Sequence, residues 1–547
     1  MNHNLHRRTF LAASLAAASA AERKSMGPIV NAKYAVVAAE SDAAASAARD
    51  ALYAGGNAAD AAAAAAIASC MVEPQLVDLG GYVAAAVVLE GKTGKVWSVD
   101  ADSAAPKAAS AAMFRVLPKP AGKRGLNENE YDCSVENNAN VDGALAVGVP
   151  ATLAGIGTIH QRWGKLKWAQ VIAPSQRLLA DGFPVLPELA AAVENRADVL
   201  RSMPDSAAQF MPHGKPLVNG QTWHRPEMDW TLNRLASAGW QDFYHGEIAH
   251  RTVEHVRKLG GILSAEDLAE YQVRCTPALS ARIGDSHLYS AALPNGGLSC
   301  LSALLMIDAL PAASMHWHIL AECLKLAWRD RLALFADGVD AAAFLSPEYI
   351  ARKTAKLKAD PRSVDLTANP GPQPSPGTVH TSTADADGNL VAITISHGGY
   401  FGSCVTVPGT GITLGHGMCR FDPHPGLPNS IAPRKRPLNN VCPMALRQPA
   451  RDVAFGMRGG RRIVSVVTEM AYQLMHGHTI EDVVKSPRLH TDGYEPLEAM
   501  APLAAELEKA GHRVKVVPTV GASSNLVERR ASGEMSAASN LVAANIH

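Results

Sequence analysis

Apolar positions recur at helical spacing over most of the first two thirds of the chain, and strand-like runs take over afterwards. An alanine-rich run from Asp42 ends at Gly55-Gly56, a usual stop for a helix because glycine enters the left-handed region without steric cost. Asn57 then stands where a cap is needed, with Asp60 three positions on to answer it, so a second helix is predicted directly behind the first. Residues 83–89 and 96–99 predict two strands, with Lys92-Thr93-Gly94 as the turn between them. Helices are predicted at 168–181, 187–201, 229–238, 248–259, 265–271 and 316–337. Residues 359–376, rich in Pro, Ser and Asn, predict a linker. Beyond it strands, turns and glycines dominate up to a closing helix–strand stretch at 496–517. The pattern divides near residue 377 and shows no internal repeat.

Composition narrows the classes. A length of 547 residues allows a large buried core. Lys+Arg 51 against Asp+Glu 51 leaves no basic excess with which to displace counterions, so no nucleic-acid partner is expected. Hydrophobic residues at 47% exclude a disordered chain, and aromatics at 5% make alanine the main apolar component, which suggests closely packed helices. Eight cysteines in so long a chain are no disulfide framework. Arg7-Arg8-Thr9-Phe10-Leu11, a short apolar run and Ala18-Ser19-Ala20 resemble a twin-arginine export signal. A leader over 1–25 and a periplasmic or secreted bacterial protein are therefore expected. Neither that run nor 61–71 is long enough to span a bilayer, so no stable membrane anchor is expected.

Several motifs lead nowhere. Gly91-Lys92-Thr93 looks like the end of a phosphate-binding loop, but Ala86 stands where its first glycine belongs, and a hairpin turn explains it. Gly409-Thr410-Gly411 lacks the third glycine of a dinucleotide site. No Cys-x-x-Cys, His-Glu-x-x-His or Gly-x-Ser-x-Gly occurs, and His476 and His478 fit a helix end better than a metal. Neither a metal nor a cofactor is expected. The informative stretch is 376–396, two β-prone runs about an Asp-Gly turn. If that turn centres on Asp387, Thr378 and Ser396 face each other on adjacent strands. Such residues are ordinary in strands, so the pair alone does not specify chemistry.

Thr378-Val379-His380 followed by Asp385-Ala386-Asp387-Gly388-Asn389 resembles the nucleophile segment of the γ-glutamyltransferase family. The resemblance extends, in the same order, to Gly55-Gly56-Asn57-Ala58-Ala59-Asp60 with Val72-Glu73-Pro74, Gly148-Val149-Pro150 with Ala154-Gly155, and Phe243-Tyr244-His245-Gly246-Glu247. It continues through Pro408-Gly409-Thr410-Gly411-Ile412, Lys435-Arg436-Pro437-Leu438, and Gly459-Gly460 with Arg462-Ile463. What it implies is an α+β fold, the four-layer αββα sandwich of N-terminal-nucleophile hydrolases. One precursor would cut itself between Gly377 and Thr378 into a large subunit, 26–377, and a small subunit, 378–547, which stay together as a heterodimer. Thr378 would be nucleophile and, through its new α-amine, base; that amine's usual pKa of about 7.7–8.0 suits the task. Ser396, where the family usually has Thr, would orient the amine. Gly459 and Gly460 would donate backbone N–H groups to the oxyanion.

The substrate pocket departs from the family's pattern. Asp102 stands where the family's arginine binds the α-carboxylate of a glutamyl group. Arg420, preceded by Cys419, stands where an acid binds the α-ammonium, with Asp422 as a nearby acid that a local shift could bring in. Gly398 replaces an asparagine, and Asn439-Asn440 replace two serines. Both charged anchors change sign. A buried charge left unpaired costs about 3–5 kcal/mol. The expectation is therefore an amidohydrolase or acyltransferase acting on a small amide or related acyl substrate other than ordinary γ-glutamyl compounds. A true γ-glutamyltransferase and a catalytically silent binding protein are the alternatives. The short, proline-rich segment from 418 to 437 suggests an open pocket.

Overall fold

The computed structural model describes residues 26–117, 131, 133–310, 317–359, 377–521 and 523–546; the expected leader and almost all of the expected linker lie outside them. Thirteen strands form one hydrogen-bonded sheet that folds over on itself. Its corner is the long closing strand Met535–Ile546, which pairs with Ser524–Arg530 through its first half and with Ala35–Ala39 through its second. On one side of the corner lie Thr378–Asp385, Leu390–Ser396, Val83–Leu89 and Val96–Asp102. On the other lie Arg451–Met457, Met444–Gln448 and Ser286–Ser290. The two wings pack face to face over small residues such as Val36, Ala38, Ala384 and Ala392 against Ala445, Ala454 and Val527.

Helices cover both outer faces. Asp42–Tyr53, Ala58–Val72 and Thr152–Trp163 lie on the first wing; Gly297–Asp308 and Arg462–Met475 lie on the second. This is the expected αββα sandwich. The alanine content has its use here, since all fifteen residues of Ala58–Val72 are buried, a helix wedged between the sheet and its helical neighbours. Among the described residues no helix is long and apolar enough to cross a membrane.

Local signals fall where expected. Ser41 caps Asp42–Tyr53, and Asn57 with Asp60 forms a capping box on Ala58–Val72. Two elements differ. The strand expected at 96–99 runs on to Asp102, because Asp100 is paired with Arg436 at 2.6 Å instead of facing water. The helix expected at 187–201 breaks at Arg196 into Pro187–Asn195 and Ala197–Ser202; the buried guanidinium turns inward to Asp142 and the Cys404 thiol. The Asn57 side chain accepts the N–H groups of Ala59 and Asp60 and donates to the carbonyl of Trp163 at 2.6 Å. Asn57→Ala should therefore lower stability by about 1–2 kcal/mol in urea unfolding, with the slope of the transition unchanged.

Candidate active site

The hairpin of Thr378–Asp385 and Leu390–Ser396 has the register read from its turn: Thr378 is the Cα partner of Ser396. The same rung continues outward, Ser396 to Val83 and Val83 to Asp102. Directly opposed residues share a face, so Thr378, Ser396 and Asp102 stand on one side of the sheet, with Asp102 roughly 14 Å from Thr378 at three strand spacings.

Thr378 and Ser396 are both buried, with their hydroxyls 2.9 Å apart. The carbonyl of Gly377 is held by three donors. The N–H groups of His397 and Gly398 reach it at 2.9 and 3.2 Å, and the Ser396 hydroxyl also donates to it. Gly398 N–H is in addition 2.9 Å from Ser396 Oγ. The peptide bond preceding Thr378 is thus polarised on its carbonyl oxygen, with the Thr378 hydroxyl beside it. Gly377 has φ +137°, and a Cβ there would lie 2.8–2.9 Å from the backbone of Gly399, so only glycine fits.

Gly459-Gly460 follow the strand Arg451–Met457, which crosses the hairpin face to face; a Cβ on Gly456 would sit 2.3 Å from the ring of His380. Among the described residues, neither the Gly459 nor the Gly460 N–H donates a hydrogen bond, and the helix Arg462–Met475 starts directly after them. The turn is pinned on both sides. Arg458 forms a fork on Glu188 at 2.9 and 3.0 Å, and Arg461 bonds Asp492 at 3.0 Å while lying over the buried Trp328 ring.

The remaining candidates form two groups. Asp102 is fully buried and accepts from the side chains of Asn295, at 3.0 Å, and Asn439. Burial, and next the charge of Asp100, pushes its carboxyl well above the ordinary range. Asn440 is buried beside Asn439, whose carbonyl accepts from Arg331. Asn295 was not singled out in the sequence; its only signal is the turn pattern Leu293-Pro294-Asn295-Gly296-Gly297. Arg420 lies in the second group, over the Tyr82 ring at 5.5 Å. A Cβ on Gly398 would meet His416 Nε2 at 2.5 Å and an Arg420 nitrogen at 2.8 Å. The lost side chain at 398 is therefore what admits Arg420 to the end of the Ser396 strand. His416, also missed, is neutral: burial and then Arg420 push its imidazole well below the ordinary range. Asp422 does not join them, since its carboxylate bonds the ring and N–H of His424 at 2.8 and 2.9 Å.

A possible cation cage of His318, Glu322 and His512 is closed by Lys325, whose ammonium donates to Glu322 at 2.8 Å. No residue of the candidate site joins that group.

Comparison with known proteins follows the same lines. The family model described as Gamma-glutamyltranspeptidase matches residues 44–545. The chain is 30% identical over 512 residues to the acylase ACY 1 proenzyme of Pseudomonas sp. (strain SE83), covering 90% of each. It is 28% identical to the glutathione hydrolase proenzyme of Escherichia coli (strain K12), covering 91% of this chain and 89% of that one. Among solved structures, cephalosporin acylase from Bacillus halodurans superimposes with a TM-score of 0.80 at 25% identity, covering 93% of this chain and 94% of that one.

The amide contacts of Asp102 give a direct check: Asp102→Ala strands the Asn295 and Asn439 amides and should cost about 1–3 kcal/mol by thermal or urea unfolding.

Proposed function

The chain belongs to the gamma-glutamyltranspeptidase family, and on that footing we propose that it is an N-terminal-threonine amidohydrolase, made as a proenzyme, whose acyl substrate presents a carboxylate to Arg420. The observation that carries the substrate reading is the guanidinium seated against Gly398, two residues from Ser396. A γ-glutamyl group would have to place its ammonium beside that like charge. The mismatch is worth about 3–5 kcal/mol, or several powers of ten in binding. The names of two similar proteins, an acylase proenzyme and a cephalosporin acylase, support an acyl substrate of another kind.

Maturation follows from the hydrogen bonds. The Thr378 hydroxyl oxygen attacks the Gly377 carbonyl carbon, and the developing oxyanion is received by the N–H groups of His397 and Gly398, already in place. The C–N bond breaks as the hydroxyl proton passes to the departing nitrogen, leaving an ester on Thr378 Oγ1 and a new α-amine. Water then hydrolyses the ester, releasing the Gly377 carboxylate. Residues 26–377 and 378–547 remain as one heterodimer, held by the sheet they share; the segment 1–25 is the export leader of a periplasmic or secreted enzyme. In turnover the Thr378 amine accepts the hydroxyl proton as the oxygen attacks the substrate amide, and Ser396 keeps that amine oriented. The unpartnered N–H groups of Gly459 and Gly460 take the substrate oxyanion, each worth about 2.7–4 kcal/mol. Asp102, Asn439 and Asn440 line the far side of the acyl pocket with a buried carboxyl group and amide donors.

Two measurements test this. Thr378→Ala should run as a single uncut chain without activity. On purified mature protein, a p-nitroanilide whose acyl chain ends in a carboxylate and carries no amine should be cleaved at least about a hundredfold faster, by kcat/KM, than γ-glutamyl-p-nitroanilide. Arg420→Asp should reverse that order. Efficient turnover of the γ-glutamyl compound by the unaltered enzyme, at the expense of the carboxyacyl compound, would contradict the assignment.

A further inference from the structure

Helix Trp317–Leu334 places His318 and Glu322 four residues apart, hence on one face, the spacing at which two side chains reach a common ion. That face meets His512, in the turn between helix Ala501–Lys509 and strand Val514–Val516. His318 Nδ1 and His512 Nε2 stand 2.8 Å apart, and one ligand atom from each of His318, Glu322 and His512 lies within 4.8 Å of the others. Both supports are packed in place, since Leu320 and Leu324 of the first helix share a core with Leu503 and Leu507 of the second. The far edge of the His512 ring is held as a metal ligand requires. Strands Leu497–Ala499 and Val514–Val516 pair in parallel with Leu497 beside Val514, which brings Glu495 opposite His512. Glu495 accepts from His512 Nδ1 at 2.7 Å, so the ring proton is kept on Nδ1 and the Nε2 lone pair is turned toward His318. Lys325 closes the group on that same Nδ1 edge. Its ammonium lies 3.4 Å from Nδ1 and donates to Glu322 at 2.8 Å and to Glu495. The two facing nitrogens lie on the Nε2 edge, and two carboxylates against one ammonium leave a net negative charge beside them.

We propose that His318, Glu322 and His512 form a binding site for a divalent transition-metal ion of the zinc class, with water as the fourth ligand, that ties the two subunits together. Two imidazoles and one carboxylate are a donor set zinc takes, whereas magnesium and calcium take oxygen ligands. At bonds of about 2.0–2.1 Å a tetrahedral ion holds two nitrogens about 3.3 Å apart, so the rings part by about half an ångström to admit it. His318 then carries its proton on Nε2 instead of Nδ1; both rings bind neutral and no proton is lost. His318 is half-buried, which sets the group near the surface. His318 and Glu322 belong to the large subunit, His512 and Glu495 to the small one. The tie between chains rests on the proposed cut before Thr378; the metal site itself does not.

Untagged protein, freed of metal with EDTA and then titrated with zinc chloride, tests the site by calorimetry and by metal analysis after dialysis. One zinc per heterodimer is expected, with no magnesium retained from magnesium chloride and a melting temperature that climbs with zinc concentration. His318→Ala should weaken zinc binding at least about tenfold. Glu495→Gln, which removes only the support of His512, should weaken it about ten- to a hundredfold at unchanged stoichiometry. If His318→Ala fails to fold, Glu322→Gln serves instead, with the same loss. Failure to retain zinc, or equal retention by these variants, overturns the proposal and leaves the assignment of Thr378 standing. Zinc held by an uncut chain supports the site and contradicts the two-chain reading alone.

Discussion

The register of the hairpin Thr378–Asp385 and Leu390–Ser396 is the constraint on which the rest of the site depends. A slip of one residue would turn every side chain to the opposite face of the sheet, removing the Thr378 hydroxyl from Ser396 and the Gly377 carbonyl from its donors. Contacts far apart in sequence prevent that slip. Asp385 accepts the first N–H of the buried alanine helix, at Ala58, and also the side chain of Asn389 across the turn. Glu40 accepts the N–H of His380, two residues beyond Thr378, and is held in turn by Ser523, Asn525 and Arg458. The turn itself needs Gly388, at φ +85°.

Small side chains let these parts come together. Between the two wings of the sheet the core is mainly alanine and valine, and at Gly456 even a methyl group is missing, because the His380 ring fills that space. His380 is satisfied there by Thr394 and Ser382 at 2.8 and 3.0 Å, and burial pushes its imidazole down to about 3. It is therefore a neutral packing group. The same economy of volume recurs at Gly398, where a missing side chain admits His416 and Arg420. One position thereby brings a cation to the end of the Ser396 strand.

Much of this was legible in the sequence where the determinant is local. The Asp387-Gly388 turn gave the Thr378–Ser396 pairing, Asn57 and Asp60 gave a capping box, and Gly55-Gly56 gave a helix end, because each depends on residues within a few positions. The layered architecture was not contained in any period; it came from the resemblance of the ordered blocks to a family. Determinants that act across the fold were invisible. Arg196 breaks a helix because Asp142 and Cys404 wait for its guanidinium, and Asn295 meets Asp102 only because its turn packs beside that strand. The exchange of charged anchors at Asp102 and Arg420 could be read as two substitutions. That Asp102 is buried between two amides, while Gly398 makes room for Arg420, required three dimensions.

The central claim is that this chain becomes two at one bond and that the residue beyond it does the chemistry. Intact-mass spectrometry of the purified protein, with terminal sequencing of the shorter chain, tests it most directly. The account predicts two chains, the shorter opening at Thr378, appearing without added protease. A chain that stays whole, or a shorter piece opening at any other residue, would contradict it.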